Sequence, residues 1–222
     1  LSVLDGTEIV ASIAAPAVAG RSPGNGGPPT IADFDGDGQP EIGVAWANNY
    51  QVVQVSAAGT AREQLWATPN HDFSSSVTGS TVFDFEGDGA AEVIYNDECF
   101  LWVYDGRTGA VRFATPTTSF TATEASLVAD VDSDGSAEIL MISNSASPSV
   151  TSGWGCDGLN NGTNWTVAAA AGDPDFGRPG WVGSDGRAAG GAAYRGLTVF
   201  RAVDNSWVGT RSLWNQHAYS VS

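Results

Sequence analysis

The feature that most constrains the fold is a short acidic segment that occurs three times in the chain. The copies read IADFDGDGQPEI (31–42), VFDFEGDGAAEV (82–93) and VADVDSDGSAEI (128–139). Their leading aspartates at positions 33, 84 and 130 are 51 and 46 residues apart. A repeat of this period predicts one supersecondary unit per copy, with neighbouring units sharing a core.

Each period also contains short runs of β-branched and aromatic residues bounded by Gly, Asp and Asn, which are typical of strands and hairpins. One strand is predicted before each acidic segment and three after it. The first predicted strands after the segments are EIGVAW (41–46), EVIYN (92–96) and EILMIS (138–143). The second strand of each set leads into a turn, within YQVVQVSAAG (50–59), FLWVYDGRTG (100–109) and GLTVFRAVDN (196–205). The third strands are REQLWATP (62–69), VRFATP (111–116) and WVGTRSLW (207–214).

Four antiparallel strands per period predict an all-β fold, a β-propeller built of four-stranded blades. Residues 1–29 are expected to end a preceding blade, 30–79 and 80–125 to form one blade each, and 126–222 to form a blade with a long inserted loop at 146–195. Closed propellers have about four to eight blades. These three and a half blades therefore predict a partial ring or a fragment of a larger propeller, completed by a longer chain or a second copy.

The acidic segments are predicted to be metal-binding loops. Alternate residues of a tight loop can point their oxygens inward. Counting the leading aspartate as position one, the residue at position seven would provide its backbone carbonyl as a metal ligand. An all-oxygen shell favours calcium over magnesium, and zinc would require His or Cys. An EF-hand is excluded because its closing glutamate stands at position twelve, whereas here it stands at nine. A plain hydrophilic turn explains one copy but not three. The predicted ligands of three calcium ions are Asp33, Asp35, Asp37, Gln39 and Glu41, then Asp84, Glu86, Asp88, Ala90 and Glu92, then Asp130, Asp132, Asp134, Ser136 and Glu138.

These segments resemble the calcium loops of FG-GAP/VCBS repeats, the units of integrin α-chain-type propellers, in their bacterial secreted form. The resemblance covers 30–145 and, more weakly, 195–222. It implies a secreted or cell-surface protein in which the calcium loop joins the first two strands of each blade. The chain departs from the pattern at Glu86 and Ser133, which replace Asp and Gly, and it lacks most of the FG-GAP dipeptide pairs.

The charge of the chain excludes several classes of function. The formal net charge is −16, which disfavours nucleic acid and anionic membranes as partners. All nine basic residues are arginine, so lysine-based catalysis and a P-loop are excluded. The longest run of small apolar residues, 8–20, contains a proline and is too short to span a bilayer.

No catalytic motif stands out. His71 is expected to be an exposed turn histidine, and His217 to pack or hydrogen-bond at the edge of a blade. Asp173 and Asp175 are interpreted as a turn, with an incomplete metal site as the alternative. The chain is therefore predicted not to be an enzyme.

The long insert is the predicted source of specificity. Cys156 in the insert could form a disulfide with Cys99, or both could be buried free thiols. Two kinds of connection should gather opposite the calcium loops: those between the second and third strands of a blade, and those between its fourth strand and the first strand of the next blade. A protein or glycan partner is expected on that face. We expect an extracellular role in adhesion, protein–protein interaction or assembly, including self-association. The alternative is a lectin-like module, possibly of a secreted polysaccharide-degrading enzyme, with a sugar platform formed by Trp154, Trp165 and Trp181.

Overall fold

The computed structural model describes residues 2–5, 8–16, 24–56, 62–72, 78–117, 119, 125–144 and 196–210. Within these ranges the chain is all-β, with thirteen strands and no helix. No helix of the described part is long and apolar enough to cross a membrane.

The strands form one hairpin and three antiparallel sheets, each with its strands in chain order. The hairpin pairs β1 and β2, and we call the others the first, second and third sheet. Their strands are β1 (Ser2–Asp5) and β2 (Glu8–Ser12); β3 (Thr30–Ala32), β4 (Glu41–Ala45), β5 (Asn49–Val55) and β6 (Arg62–Pro69); β7 (Thr81–Phe83), β8 (Glu92–Asn96), β9 (Phe100–Tyr104) and β10 (Val111–Pro116); and β11 (Leu127–Ala129), β12 (Glu138–Ser143) and β13 (Gly196–Arg201).

The three sheets share one register, which makes the sequence repeat a structural repeat. In each sheet the closing glutamate of the acidic segment pairs with the last residue of the first strand. The pairs are Ala32 with Glu41, Phe83 with Glu92, and Ala129 with Glu138. Positions can therefore be compared between sheets by register as well as by sequence.

The second sheet is covered on both faces. Toward the first sheet, Tyr95, Trp102 and Tyr104 join a buried cluster with Tyr50 and Trp66. Toward the third sheet, residues alternating with these join a second cluster, which includes Ile94, Leu101, Val103, Ile139 and Met141. Burial on both faces explains why FLWVY is apolar throughout rather than alternating between apolar and polar residues.

On the third sheet, no described residue covers the outer face. Leu197 and Val199 of β13 are 58% and 46% exposed. By register they correspond to Leu101 and Val103 in the second sheet, which the third sheet covers. An apolar face of this kind is normally buried in a stack of sheets.

The structure confirms most of the predicted strands. The runs 62–69, 92–96, 111–116 and 138–143 match observed strands at both ends, and the amino-terminal hairpin is also present. One prediction is wrong: residues 207–210 of WVGTRSLW do not form a strand, and 211–214 lie outside the described residues. Trp207 and Val208 instead pack against the core between the second and third sheets, beside Phe85. The insert 146–195 also lies outside the described residues.

Candidate metal centres

The acidic segments form loops between the first and second strands of each sheet, as predicted. We call them loop 1 (33–41), loop 2 (84–92) and loop 3 (130–138). In loop 1 the Asp33 carboxylate accepts hydrogen bonds from the backbone N–H groups of Gly36 at 2.7 Å, Asp37 at 3.1 Å and Gly38 at 2.8 Å. Asp84 makes the same three contacts in loop 2. The leading aspartate thus holds its own loop in a tight curl.

The curl requires left-handed backbone at two positions of each loop. Gly36 and Gly38 have φ values of 80° and 84°, and the two glycines of loop 2 have 70° and 91°. In loop 3 the first of these positions is Ser133, with φ of 64°. A side chain is strained in this conformation, so loop 3 keeps the same curl at some cost in stability.

The glutamate at position nine closes each loop from the start of the second strand. Its Oε2 accepts a backbone N–H from the residue after the leading aspartate: Phe34 to Glu41 at 2.7 Å, Phe85 to Glu92 at 3.1 Å, and Val131 to Glu138 at 2.8 Å. These three carboxylates are buried. The strand register therefore presents a buried carboxylate to every loop.

In loops 1 and 3 the other oxygen of this glutamate is buried without a hydrogen-bond partner. The unpartnered atoms are Glu41 Oε1 and Glu138 Oε1, together with Oδ1 of Asp130. Burial raises the pKa of Glu41 and of Glu138; the backbone hydrogen bond lowers it, and the aspartates of the same loop raise it again. Unpartnered buried carboxylate oxygens are costly, and a cation would remove that cost.

Ligand atoms from three carboxylates come within 4.8 Å of one another in each loop. The groups are Asp33, Asp35 and Asp37; Asp84, Glu86 and Glu92; and Asp130, Asp132 and Glu138. Of the other predicted carboxylates, Glu41, Asp88 and Asp134 lie outside these groups. At position seven, the backbone N–H groups of Gln39, Ala90 and Ser136 donate to the aspartate two residues earlier. Metal binding by the carbonyls of these three residues stays a prediction.

The donor set fits a hard divalent cation. The three groups consist of carboxylates, with no His or Cys among them. Such oxygen-only shells suit calcium, which tolerates irregular geometry, better than zinc.

Loop 2 differs from the other two because an arginine bridges two of its carboxylates, one of which is the buried closing glutamate. Arg112 of β10 donates from Nη1 to Glu92 Oε1 at 2.8 Å and from Nη2 to Glu86 Oε1 at 2.5 Å. The pKa of Glu92 is raised to about 7, mainly by burial. The hydrogen bond from the Phe85 N–H and the charge of Arg112 lower this pKa, and the neighbouring Glu86 raises it. The glutamate oxygen Oε1, which is unpartnered in loops 1 and 3, is thus paired in loop 2.

The turn between the third and fourth strands lies on the same face as the loops, as predicted. In the second sheet this turn carries Arg107, which donates to Asp88 Oδ2 at 2.7 Å and to the backbone oxygen of Asp35 at 3.2 Å. It therefore ties loop 2 to loop 1. Beside the two loops is a cleft of about 450 Å³, which is lined by β3, β7 and residues 208–209.

The opposite face contains a buried polar network that sequence reasoning missed. His71 was expected to be exposed but is 2% exposed, because it packs against the connection between β8 and β9. Its Nδ1 lies 3.0 Å from Glu98 Oε2, and its backbone N–H donates to Asp97 Oδ2 at 2.8 Å. Asp97 and Glu98 are fully buried. The polar run NDE (96–98), which lies between two apolar runs, was the sequence signal that could have indicated this buried network.

Asp97 is the centre of this network. Its Oδ1 accepts the backbone N–H groups of Cys99 and Phe100, both at 2.7 Å, and its Oδ2 also accepts Trp102 Nε1 at 2.6 Å. The connection that contains His71 and the one that contains Asp97 thus meet around one carboxylate.

Several predicted site residues lie outside the described part of the chain. Cys99 is disulfide-bonded and buried. The proposed partner of Cys99 is Cys156, which lies outside the described residues. The same holds for the other predicted residues of the insert and of the end of the chain: Trp154, Trp165, Asp173, Asp175, Trp181 and His217.

Comparison with known proteins supports the fold. No protein-family profile and no curated protein sequence matches the chain. Among solved structures the chain is similar to the V. cholerae biofilm matrix protein Bap1, with a TM-score of 0.51 and 20% sequence identity. The match covers 81% of this chain and 23% of Bap1, so this chain corresponds to under a quarter of that protein.

Proposed function

We propose that the chain is part of an extracellular, non-catalytic β-propeller of the FG-GAP/VCBS type, stiffened by calcium, and that it acts in adhesion or matrix assembly. The observation that carries the proposal is the pair of acidic loops with buried, unpartnered carboxylate oxygens, on Glu41 and on Asp130 and Glu138. Three like-charged side chains and an unsatisfied buried oxygen in one loop are explained by a cation that the loop is built to bind.

The arrangement of the sheets supports the propeller. Each four-stranded sheet has its strands in chain order, and each packs face to face on the next. Successive first strands lie next to each other. Thr30 Oγ1 donates to the backbone oxygen of Ser80 at 3.2 Å, and Thr81 Oγ1 donates to the backbone oxygen of Ser126 at 2.5 Å. First strands around a shared axis are the arrangement expected of propeller blades.

The uncovered face of the third sheet supports a larger ring. Leu197 and Val199 occupy positions that the next sheet covers elsewhere in the stack. We propose that a further sheet of the same repeat covers them in the complete ring.

Calcium would have a structural role. A cation at loop 1 or loop 3 would offset the repulsion between the aspartates and give the buried glutamate oxygen a partner. Because the loops form only in the folded chain, metal binding would add to the free energy of unfolding.

Adhesion or matrix assembly is the function that best matches a rigid scaffold without a catalytic constellation among its described residues. The similarity in fold to a biofilm matrix protein favours the same setting for this chain. Partner binding would then use the face opposite the loops, where the polar network around Asp97 holds the connections in place.

Thermal unfolding tests the calcium part of the proposal. At a calcium concentration of about 100 times the dissociation constant, each filled site should add about 2.7 kcal/mol to the free energy of unfolding. For a chain of this size, that raises the melting temperature by roughly 5–11 °C per site. Excess EGTA should reverse the increase, and magnesium should not reproduce it. Equal melting temperatures in calcium and EGTA would contradict the calcium sites.

Binding to a biofilm matrix tests the adhesive role. Fluorescently labelled chain should be retained on an extracted bacterial biofilm matrix in calcium and released in EGTA. The same preparation should be applied to a glycan array. No retention on the matrix would contradict the adhesive role, and strong binding to a single glycan on the array would favour the lectin-like alternative instead.

A further inference from the structure

Loop 2 has the repeat's acidic sequence, yet its carboxylates are already paired with a cation that belongs to the chain. We propose that loop 2 is closed to metal by Arg112, whose guanidinium takes the place of the ion, and that loops 1 and 3 are the metal sites. This inference rests on the calcium-binding function proposed above. It reduces the three sites that the repeat predicts to two.

The contacts of Arg112 carry the argument. Its two terminal nitrogens reach one carboxylate each, Glu92 and Glu86. Both carboxylates belong to the group in loop 2 whose ligand atoms cluster. A planar guanidinium suits this fork between two carboxylates, and hydrogen bonds between charged groups are strong. A metal ion would have to displace the guanidinium and then tolerate a positive charge beside it.

The partner of the buried glutamate separates the loops. In loops 1 and 3, Oε1 of Glu41 and of Glu138 is buried without a hydrogen-bond partner, whereas Oε1 of Glu92 is bound by Arg112. Asp88 of loop 2 is also paired, with Arg107. Three of the four carboxylates of loop 2, Glu86, Asp88 and Glu92, are therefore paired with one of two arginines. Such a loop gains far less from a divalent cation.

The fold explains why an arginine reaches the buried closing glutamate of loop 2 but not that of loop 1. In the second sheet Arg112 is the extra residue of a β-bulge between β9 and β10, where the pairing shifts between Val111 and Phe113. The first sheet has its bulge at the equivalent place, between Gln64 and Trp66, and the extra residue there is Leu65. Bulges redirect side chains. The same backbone device therefore presents a cation to loop 2 and an apolar side chain in the first sheet.

Loop 3 has a weaker cationic neighbour. Arg201 Nη1 lies 3.8 Å from Asp132 Oδ2, and both side chains are exposed. This contact leaves the buried Glu138 oxygen unpartnered. Exposed pairs of this kind contribute little, so Arg201 should not prevent a metal ion from binding.

The departure at Glu86 fits this assignment. Loops 1 and 3 have aspartates at this position, Asp35 and Asp132, and the one glutamate is the residue that Arg112 contacts. The longer side chain brings its carboxylate to the guanidinium. Glu86 and Arg112 are therefore interpreted as a pair that replaces the ion in loop 2.

Counting bound calcium tests the inference. Isothermal titration of the metal-free chain and native mass spectrometry should both give two ions for the wild type. Arg112→Ala should give three, because Glu86 and Glu92 are released to bind metal. Arg201→Ala is the matched control, since it removes the same charge beside loop 3, and it should still give two. Arg112→Gln, which keeps a long polar side chain, should also give three and serves if the alanine variant does not fold.

The outcomes separate this inference from the proposed function. No bound calcium in the wild type would overturn both. Three ions in the wild type would leave the calcium-binding function standing and overturn the role of Arg112. Two ions in the wild type and still two in both Arg112 variants would also overturn it. Glu138→Gln should lower the wild-type count by one, and an unchanged count would place the second ion elsewhere than loop 3.

Discussion

Replacing Asp97 with asparagine tests whether the buried network holds the connections opposite the metal loops. The two oxygens of Asp97 accept four N–H groups, two at Oδ1 and two at Oδ2. An asparagine offers one oxygen and one NH2 group. Whichever way the amide turns, two of the four donors lose their acceptor and face another donor.

The cost follows from those two donors. A buried N–H without a partner costs about 1–3 kcal/mol, so Asp97→Asn should lower the free energy of unfolding by about 2–6 kcal/mol. A domain of this size has roughly 5–15 kcal/mol in total, so this is a large loss. It corresponds to a fall in melting temperature of roughly 4–24 °C.

Asp105→Asn is the matched control. Asp105 begins the turn between β9 and β10, and its Oδ1 accepts both Thr108 N at 2.9 Å and Thr108 Oγ1 at 2.7 Å. Asparagine keeps that oxygen, so the same chemical change should alter stability by no more than about 0.5 kcal/mol.

Urea unfolding followed by tryptophan fluorescence, at saturating calcium, measures both variants. A loss of under about 1 kcal/mol in Asp97→Asn, equal to that of Asp105→Asn, would refute the reasoning. If Asp97→Asn does not fold, Trp102→Phe removes a single donor from Oδ2 and should give a smaller, measurable loss.

Three further predictions concern the loops and the packing between sheets. Glu138→Gln should leave the metal-free chain equally or more stable, since it removes a buried repelling charge and keeps an oxygen for the Val131 N–H. The same substitution should abolish most of the stabilisation that loop 3 gains from calcium. Thermal unfolding in EGTA and in calcium measures both effects. Ser133→Gly should stabilise the chain by about 0.5–1 kcal/mol in urea unfolding, because Ser133 has φ of 64°; a destabilised glycine variant would contradict the strain. Gly106→Ala should cost about 1–3 kcal/mol, because an added Cβ would meet the backbone oxygens of Ala91 and Phe34, whereas Gly79→Ala, with ordinary contacts, should be near neutral in the same assay.

The strands and the loops between them could be predicted because their signals are local. A loop such as DFDGDGQPE contains both the carboxylates and the glycines that its curl needs, and the side-chain hydrogen bonds of Asp33 reach no further than Gly38. The apolar runs around the loops set the strands in the same way. Three copies made this local pattern visible above chance.

The errors concern contacts between residues that are distant in sequence. His71 is buried by the connection around Asp97, which is 26 residues later, so its own neighbours in TPNHDF do not indicate its environment. Trp207 packs beside Phe85 rather than in a fourth strand, and no periodicity in 207–210 distinguishes the two. The pairing of Arg112 with Glu86 spans 26 residues and depends on a bulge in β10.

That pairing also limits what a repeated motif can say about function. Loops 1, 2 and 3 have the same acidic positions, so their sequences alone assign them the same role. What separates loops 1 and 2 is the residue that the fourth strand presents at its bulge, which is Leu65 in the first sheet and Arg112 in the second. If Arg112 closes loop 2 as proposed, metal binding in the first two repeats depends jointly on the loop and on the bulge residue of the fourth strand. A cation at the bulge residue, together with a glutamate at position three of the loop, is the pattern that would mark a closed site in any other copy of this repeat.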